Sequence, residues 1–197
     1  MIISKTPVRI SFVGGGSDLR SFYQHFPGSV VSTTIDKHVY VNATKNFTDH
    51  IRVSYSITEY VDKVDDIKHN LVREALKLVG IDKGINISYI SEELLPDHEG
   101  SGLGASSAIL IGTLHALHAI KGEYVTPEKL AMEACKIEID ILGSPIGKQD
   151  QYAAAYGGFN HIQFNPDESV YVSPVVVKPE ILKKLNKHLL MFHTGIN

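Results

Sequence analysis

A glycine- and serine-rich segment that leads directly into a long apolar segment is the feature that most constrains this chain. Residues 100–108 read GSGLGASSA and are followed by ILIGTLHALHAIKG. The second segment is apolar on nearly every side of a helix, which predicts a central, buried helix extending to about Lys121. The fold must therefore surround this helix and place a glycine turn at its amino-terminal end.

The glycine segment has two interpretations. Glycine lets the backbone approach a ligand closely and adopt positive φ, so that successive N–H groups converge on an anion. The start of a helix adds unpaired N–H groups and a partial positive charge, which together favour a phosphate. The segment lacks the Gly-Lys-Ser/Thr ending of a Walker A motif. A tight turn with serine caps explains the same residues, so both interpretations stay open on this segment alone.

Strand patterns dominate the first third of the chain and helical patterns the remainder, which predicts an α+β fold. Thr126 suits a helix N-cap and Pro127 the first helical position, while Gly80 and Gly143 suit helix ends. Strands are predicted at 8–13, 29–35, 38–44, 84–90, 159–164 and 188–195, and helices at 65–80, 126–143 and around 148–158.

Composition excludes several classes of protein. The formal net charge is −3, which argues against a protein that binds nucleic acid or an anionic membrane surface. No apolar run approaches the roughly 18 residues of a membrane span, and the first residues do not resemble a signal peptide. Cys135 is the single cysteine, so it has no disulfide partner within the chain, and it fits a reducing cytoplasm.

One acidic residue on the predicted 126–143 helix lies in unusual surroundings. Ala131, Cys135, Glu138 and Leu142 are spaced by four, three and four residues, so they share one helix face. A carboxylate among small and apolar side chains requires a partner or a metal when it is buried. The alternative is that Glu138 lies at the exposed edge of this face.

Further candidates lie on both sides of the glycine segment. Asp150, between two glutamines, suits either the start of a helix or phosphoryl transfer, in which an aspartate orients a hydroxyl. Asp18 follows three glycines at the end of a strand, where it suits either a hairpin turn or the binding of substrate hydroxyls. Arg9, on that strand, is expected to lower the pKa of a nearby aspartate. His115 and His118 have helical spacing for a metal pair, but no third ligand is evident, which favours a surface or core-edge role.

Three segments, in this order, resemble the GHMP kinases, the superfamily of galactokinase, homoserine kinase, mevalonate kinase and phosphomevalonate kinase. The segments are PVRISFVGGGSD at 7–18, GSGLGASSA at 100–108, and IEIDILGSPIGKQDQYAAAYGG at 137–158. The sequences of these segments, together with IDKHVYV at 35–41, are most similar to the sugar-1-kinase branch of the superfamily. The resemblance implies an α+β amino-terminal GHMP domain (the ribosomal-protein-five domain-two-like fold), a mixed sheet packed with helices.

The resemblance also implies residue roles. Asp150 matches the aspartate that orients or deprotonates the attacking hydroxyl, and Arg9 the basic residue that keeps it ionised. Glu138 and Ser106 match the magnesium ligands, with Ser107 as the alternative hydroxyl. The nucleotide phosphates are expected to contact Gly100, Ser101, Gly102, Leu103, Gly104, Ala105, Ser106 and Ser107, and the sugar to contact Gly15, Gly16, Ser17 and Asp18. Lys5 and Lys37 are candidate contacts for a substrate phosphate.

The expected activity is that of a cytoplasmic kinase that uses ATP and Mg²⁺ to phosphorylate the anomeric hydroxyl of a sugar phosphate. The resemblance favours D-glycero-D-manno-heptose 7-phosphate, converted to the 1,7-bisphosphate. The alternatives are a kinase for another sugar such as L-fucose or galactose, a relative that binds sugar or nucleotide without turnover, and an inactive fragment. Residues 1–197 are interpreted as the ATP-binding amino-terminal domain, without the carboxy-terminal domain that the family normally carries. No nucleic-acid or membrane partner is expected, and a homodimer is left open.

Overall fold

The computed structural model describes residues 1–92 and 102–192. Seven strands form one mixed sheet in which β3 and β5 are parallel and the other pairs are antiparallel. The strands are β1 (Ile2–Val13), β2 (Gly28–Lys45), β3 (Ile51–Ser54), β4 (Thr58–Val61), β5 (Ile85–Ser91), β6 (Phe159–Phe164) and β7 (Val170–Pro174). The helices are α1 (Arg20–Tyr23), a 3₁₀ turn (Val64–Asp66), α2 (Asn70–Val79), α3 (Ala105–Lys121), α4 (Pro127–Cys135), a π-helix (Lys136–Ile141), α5 (Gln149–Tyr156) and α6 (Pro179–His188).

The long strand β2 organises the sheet. One edge of β2 pairs with β1 along almost its whole length, while the other edge pairs first with β6 and then with β5. The strand order is β4-β3-β5-β2-β6-β7, with β1 beside β2. Alternate residues of β2 are buried, as a sheet with one covered face requires.

Helix α3 lies against β1 and β2 and forms the centre of the core. Leu110, Leu114 and Leu117 are fully buried, as the apolar pattern predicts. Gly112 allows this close approach, because a β-carbon there would lie 2.8 Å from Thr6 Oγ1. A smaller apolar cluster joins α1, α4, α5 and the β2–β6 strand pair; it contains Tyr23, Val30, Ala131, Cys135, Tyr152, Ala153, Ile162 and Phe164.

Local signals located several elements correctly. Thr126 accepts a hydrogen bond from the backbone N–H of Lys129, with Pro127 at the first turn of α4, and Gly80 ends α2 in a left-handed conformation. The predicted strands at 29–35 and 38–44 are parts of the single strand β2. The α+β class and the mixed sheet are confirmed. Within residues 1–92 and 102–192, no helix is long and apolar enough to cross a membrane.

Three predicted elements need correction. The helix predicted at 65–80 begins as a 3₁₀ turn and becomes α-helical only at Asn70. The helix predicted at 126–143 changes to π-helical geometry at Lys136, and Leu142 N–H bonds to the carbonyl of Ile137, five residues earlier. The strand predicted at 188–195 is wrong for residues 188–192, since His188 ends α6 and the next four residues belong to no strand; 193–195 lie outside the described residues.

Candidate active site

An arginine on β1 and an aspartate at the start of α5 form the first part of the candidate site. Arg9 Nε donates to Asp150 Oδ1 at 2.7 Å, and Arg9 Nη2 donates to the same oxygen. Both side chains are largely shielded, with 11% and 22% exposed. The backbone N–H of Arg9 also donates to the carbonyl of Leu103, and Nη1 donates to the carbonyl of Gly102. Arg9 therefore holds both Asp150 and residues 102–103 of the glycine segment.

The glycine segment reaches the start of α3 directly beside this aspartate. Gly104 is the N-cap residue, with φ of +75°, and it provides no side-chain cap. A β-carbon on Gly104 would lie 3.0 Å from Asp150 Oδ2, so the backbone here comes closer to the carboxylate than other residues allow. The first N–H groups of an α-helix lack intrahelical partners. Uncapped by a side chain, this helix start lies against Asp150 and suits an anion.

The ionisation of Asp150 reflects opposing influences. Burial raises the pKa of Asp150 above the ordinary aspartate value, and the negative charge of Asp18 acts in the same direction. The positive charge and hydrogen bonds of Arg9 lower the pKa but do not cancel the effect of burial. As the sequence predicted, Arg9 is the neighbour that favours the ionised form. A shielded carboxylate with a raised pKa is a candidate general base.

The π-helix carries the second carboxylate of the site. Glu138 is 2% exposed, which rules out the alternative that it lies at the exposed edge of its helix. Its Oε2 accepts hydrogen bonds from Ser107 Oγ at 2.8 Å and from Gln151 Nε2 at 2.5 Å. Its Oε1 has a long contact of 3.5 Å with Ser106 Oγ. Single turns of π-helix are frequent at functional sites, and here one presents a carboxylate to the first turn of α3.

The oxygen atoms around Glu138 fit a magnesium ion bound with a nucleotide. Mg²⁺ prefers oxygen ligands and is usually held by one or two carboxylates together with phosphates and waters. Burial raises the pKa of Glu138, whereas the hydrogen bonds from Ser107 and Gln151 lower it and the charge of Asp150 raises it. No group of three or more His, Cys, Asp and Glu side chains among the described residues could hold a metal by itself.

The glycine turn after β1 is joined to the segment before α5 through Asp18. Its carboxylate accepts the N–H of Gly16 at 2.9 Å, the N–H of Gln149 at 3.1 Å and the side-chain amide of Gln149 at 3.3 Å. The hydroxyl of Ser17 bonds to the backbone of β2 at Ser29. Asp18 is 2% exposed, and these three hydrogen bonds hold its carboxylate in place. Its negative charge acts on Asp150.

Comparison with known proteins shows which family this chain resembles. Residues 69–158, which include α3, Glu138 and Asp150, match the model of the GHMP kinases N terminal domain. The D-glycero-alpha-D-manno-heptose 7-phosphate kinase of Campylobacter jejuni is 30% identical over 99% of this chain and 60% of that protein. The chain is therefore similar to the GHMP kinases, most directly over residues 69–158.

Two other GHMP kinases extend the comparison. The mevalonate kinase of Thermococcus sibiricus is 27% identical over 92% of this chain and 56% of its own length. The crystal structure of a D-glycero-D-manno-heptose 1-phosphate kinase from Bacteroides thetaiotaomicron superposes with a TM-score of 0.86, at 26% identity over 94% of this chain and 63% of that chain. This chain thus spans between half and two thirds of the length of these relatives.

The structure brings most of the predicted site residues together. Arg9, Asp150, Gly104, Glu138 and Ser106 surround the start of α3. The turn made by Gly14, Gly15, Gly16, Ser17 and Asp18 lies next to them through Gln149. Two residues that were expected at the nucleotide phosphates, Gly100 and Ser101, lie outside the described residues.

Other candidates have different partners. Lys37 pairs with Glu92 at 3.6 Å, and Lys5 lies over the ring of Tyr40. His118 is buried, and its two ring nitrogens lie 2.8 Å from Glu123 and from Glu133, while His115 is exposed. The exposure of His115 agrees with the surface or core-edge role predicted for the two histidines, whereas His118 is buried.

Sequence reasoning missed the two glutamines that flank Asp150. Gln149 links Ser11 to Asp18: its Oε1 accepts from the Ser11 hydroxyl and its amide donates to the carboxylate. Gln151 is completely buried and donates to Glu138. Their position beside Asp150 was the available signal, but glutamine is usually exposed, so the pattern alone did not assign them to the site.

Proposed function

We propose that this protein is an ATP- and Mg²⁺-dependent kinase that phosphorylates the anomeric hydroxyl of a sugar phosphate. The described residues supply its nucleotide-binding half. The observation that carries the proposal is the contact between Asp150, held by Arg9, and Gly104 at the start of α3. This contact sets a shielded carboxylate directly beside an uncapped helix start. Phosphoryl transfer needs this combination of a hydroxyl-orienting group and a phosphate-binding backbone.

The two oxygens of Asp150 have different surroundings, and this difference supports a role for each of them in the reaction. Arg9 occupies Oδ1, whereas Oδ2 faces Gly104 and receives no hydrogen bond from another described residue. Oδ2 would accept the hydrogen of the sugar hydroxyl and direct its oxygen towards the γ-phosphorus of ATP, in line with the departing ADP oxygen. Arg9 favours the ionised form of Asp150 that accepts this hydrogen, although burial raises the pKa of Asp150 on balance. Most of the acceleration would come from positioning and charge neutralisation.

The phosphates of ATP would lie on the backbone of Gly102 to Ser107 at the amino-terminal end of α3. Glu138 Oε1 and Ser106 Oγ would hold Mg²⁺ bound to these phosphates. The ion would neutralise negative charge on the transferred group. Ser107 is the weaker candidate for the metal ligand, because it is 2% exposed and donates to Glu138 Oε2, whereas Ser106 is exposed.

The substrate proposal rests on the names of two relatives. One is called a D-glycero-alpha-D-manno-heptose 7-phosphate kinase and the other a D-glycero-D-manno-heptose 1-phosphate kinase. Both names specify a phosphorylated heptose, but they differ in the position of its phosphate. We propose D-glycero-D-manno-heptose 7-phosphate, with the 1,7-bisphosphate as the product made in the cytoplasm, because a free anomeric hydroxyl is required for the step described above.

A substrate panel tests this proposal. The full-length gene product is supplied with ATP, Mg²⁺ and one acceptor at a time: D-glycero-D-manno-heptose 7-phosphate, the 1-phosphate isomer, L-fucose, galactose and mannose. Phosphate transfer is followed by ADP release, and the product is identified by ³¹P NMR. We expect the 7-phosphate to give the largest kcat/KM. Transfer only to fucose or galactose would replace the substrate and keep the kinase, whereas ATP binding without transfer to any acceptor would favour a non-catalytic binder.

A further inference from the structure

Gln151 is a buried polar residue that the proposed reaction does not yet use. It follows Asp150 on α5 and none of its surface is exposed. Its Nε2 donates to Glu138 Oε2, but its Oε1 accepts no hydrogen bond from any described residue. A buried amide oxygen without a partner costs free energy relative to an apolar side chain of the same size. A residue kept at such a cost beside two functional carboxylates requires an explanation.

The explanation lies in the unequal surroundings of the two oxygens of Glu138. Oε2 accepts short hydrogen bonds from Ser107 Oγ and Gln151 Nε2. Oε1 has only the 3.5 Å contact with Ser106 Oγ, which is at the limit of a hydrogen bond. Two donors on one oxygen fix the rotation of the carboxylate and leave Oε1, on the side of Ser106, without a short hydrogen bond from a described residue.

We propose that Gln151 is a positioning residue that turns Glu138 so that Oε1, together with Ser106 Oγ, faces the divalent cation that accompanies the nucleotide. This inference rests on the proposed function. It divides the adjacent serines by role: Ser106 is the ligand, while Ser107 and Gln151 orient the carboxylate. Mutation of a group that hydrogen-bonds to a metal ligand commonly weakens metal affinity by about 10-fold to 100-fold.

The position of Gln151 also connects the two halves of the site. Asp150 and Gln151 are consecutive residues in the first turn of α5, and one contacts Arg9 while the other contacts Glu138. A displacement of this turn would therefore move the proposed base and the proposed metal ligand together. This arrangement fixes both carboxylates relative to α3 through one helix.

Metal binding without turnover provides the test. Mn²⁺ is titrated into the full-length protein with a non-hydrolysable ATP analogue, and bound Mn²⁺ is measured by electron paramagnetic resonance. Gln151→Met keeps the side-chain length but removes the donor, so we expect the Mn²⁺ dissociation constant to rise about tenfold or more. Affinity for the metal-free analogue should not change. Gln163→Met is the matched control, since Gln163 bonds to Asn165 in the β6–β7 hairpin.

The outcomes separate this inference from the proposed function. If the wild-type protein with analogue retains no Mn²⁺, the metal-dependent function and the positioning role both fail. If the wild type binds Mn²⁺ and Gln151→Met binds it equally well, only the positioning role fails. If Gln151→Met does not give a folded protein, Ser107→Ala decides, because it removes the other hydrogen bond to Oε2. Weaker Mn²⁺ binding then supports the orientation of Glu138 through Oε2, and unchanged binding overturns it.

Discussion

Arg9 and Asp150 are 141 residues apart in the chain, yet two nitrogens of the arginine donate to the same carboxylate oxygen, Oδ1. The other oxygen, Oδ2, faces Gly104 at the start of α3. This asymmetry resembles that of Glu138, in which Oε2 is held by Ser107 and Gln151. In both carboxylates, two donors hold one oxygen, and no described residue makes a short hydrogen bond to the other.

Replacing Arg9 should change the pH dependence of the reaction. Burial raises the pKa of Asp150 and Arg9 lowers it, so Arg9→Gln should move the acidic limb of kcat/KM to higher pH. The profile is measured with saturating ATP and Mg²⁺. Arg52→Gln is the control, because Arg52 lies over Tyr60 on the β3–β4 hairpin and should leave the limb in place. An unchanged limb in Arg9→Gln would contradict the electrostatic role of Arg9.

Removing the charge of Asp18 should move the same limb in the opposite direction. The negative charge of Asp18 raises the pKa of Asp150, so Asp18→Asn should shift the acidic limb of kcat/KM to lower pH. If Asp18 also holds the sugar, KM for the sugar should rise while the dissociation constant of ATP stays the same. A limb displaced to higher pH would show that Asp18 does not act on Asp150 through its charge.

Gly104 and Gly122 allow strain to be separated from function. Both have positive φ, +75° and +77°, at opposite ends of α3. Alanine at either position should lower the free energy of unfolding by about 1–2 kcal/mol, because both must keep a left-handed conformation. Only the β-carbon at Gly104 would press on Asp150, whereas nothing lies within 4 Å at Gly122.

Phosphate transfer and urea unfolding are therefore measured for both variants. Gly104→Ala should lose transfer as well as stability, and Gly122→Ala should lose stability alone. Equal activity in the two variants at equal stability would argue against a close approach of the loop to Asp150.

Glu59 gives a prediction about stability outside the candidate site. Burial of Glu59 acts to raise its pKa, but hydrogen bonds from the N–H of Lys68, the Tyr55 hydroxyl and the N–H of His69 lower it on balance. A folded-state pKa below the unfolded one stabilises the protein above the unfolded pKa, and this contribution disappears as the pH falls through the folded pKa. Glu59→Gln should therefore cost about 2 kcal/mol at neutral pH.

The free energy of unfolding is measured in urea for both proteins from neutral to acidic pH. The difference between wild type and Glu59→Gln should shrink as the pH falls. A difference that is constant with pH would mean that the carboxylate charge does not contribute.

Elements with strong local signals could be predicted from the sequence. The apolar residues of α3 required a buried helix, and Thr126 with Pro127 marked the start of α4. Residues 188–192 of the carboxy-terminal apolar run do not form the predicted strand. Pro179 instead starts the amphipathic helix α6, and His188 ends it. A short apolar run does not by itself distinguish a strand from the residues after a helix.

The candidate site was predictable in part. Glu138 stood out as a charge on an apolar face, and the resemblance paired Arg9 with Asp150. The π-helical turn that carries Glu138 could not be read from residue spacing, because it depends on tertiary packing. The role of Gln151 depends on which side of α5 meets the π-helix, a relation that no local pattern contains.

We propose that Asp150 orients a sugar hydroxyl towards the γ-phosphorus of ATP beside the start of α3. The most direct measurement is transfer of labelled γ-phosphate to D-glycero-D-manno-heptose 7-phosphate by the wild type and by Asp150→Asn, with ATP affinity measured in parallel. We predict label on the anomeric oxygen, a loss of about 10²–10⁴-fold or more in kcat for Asp150→Asn, and unchanged ATP affinity. Equal transfer by Asp150→Asn would contradict the claim.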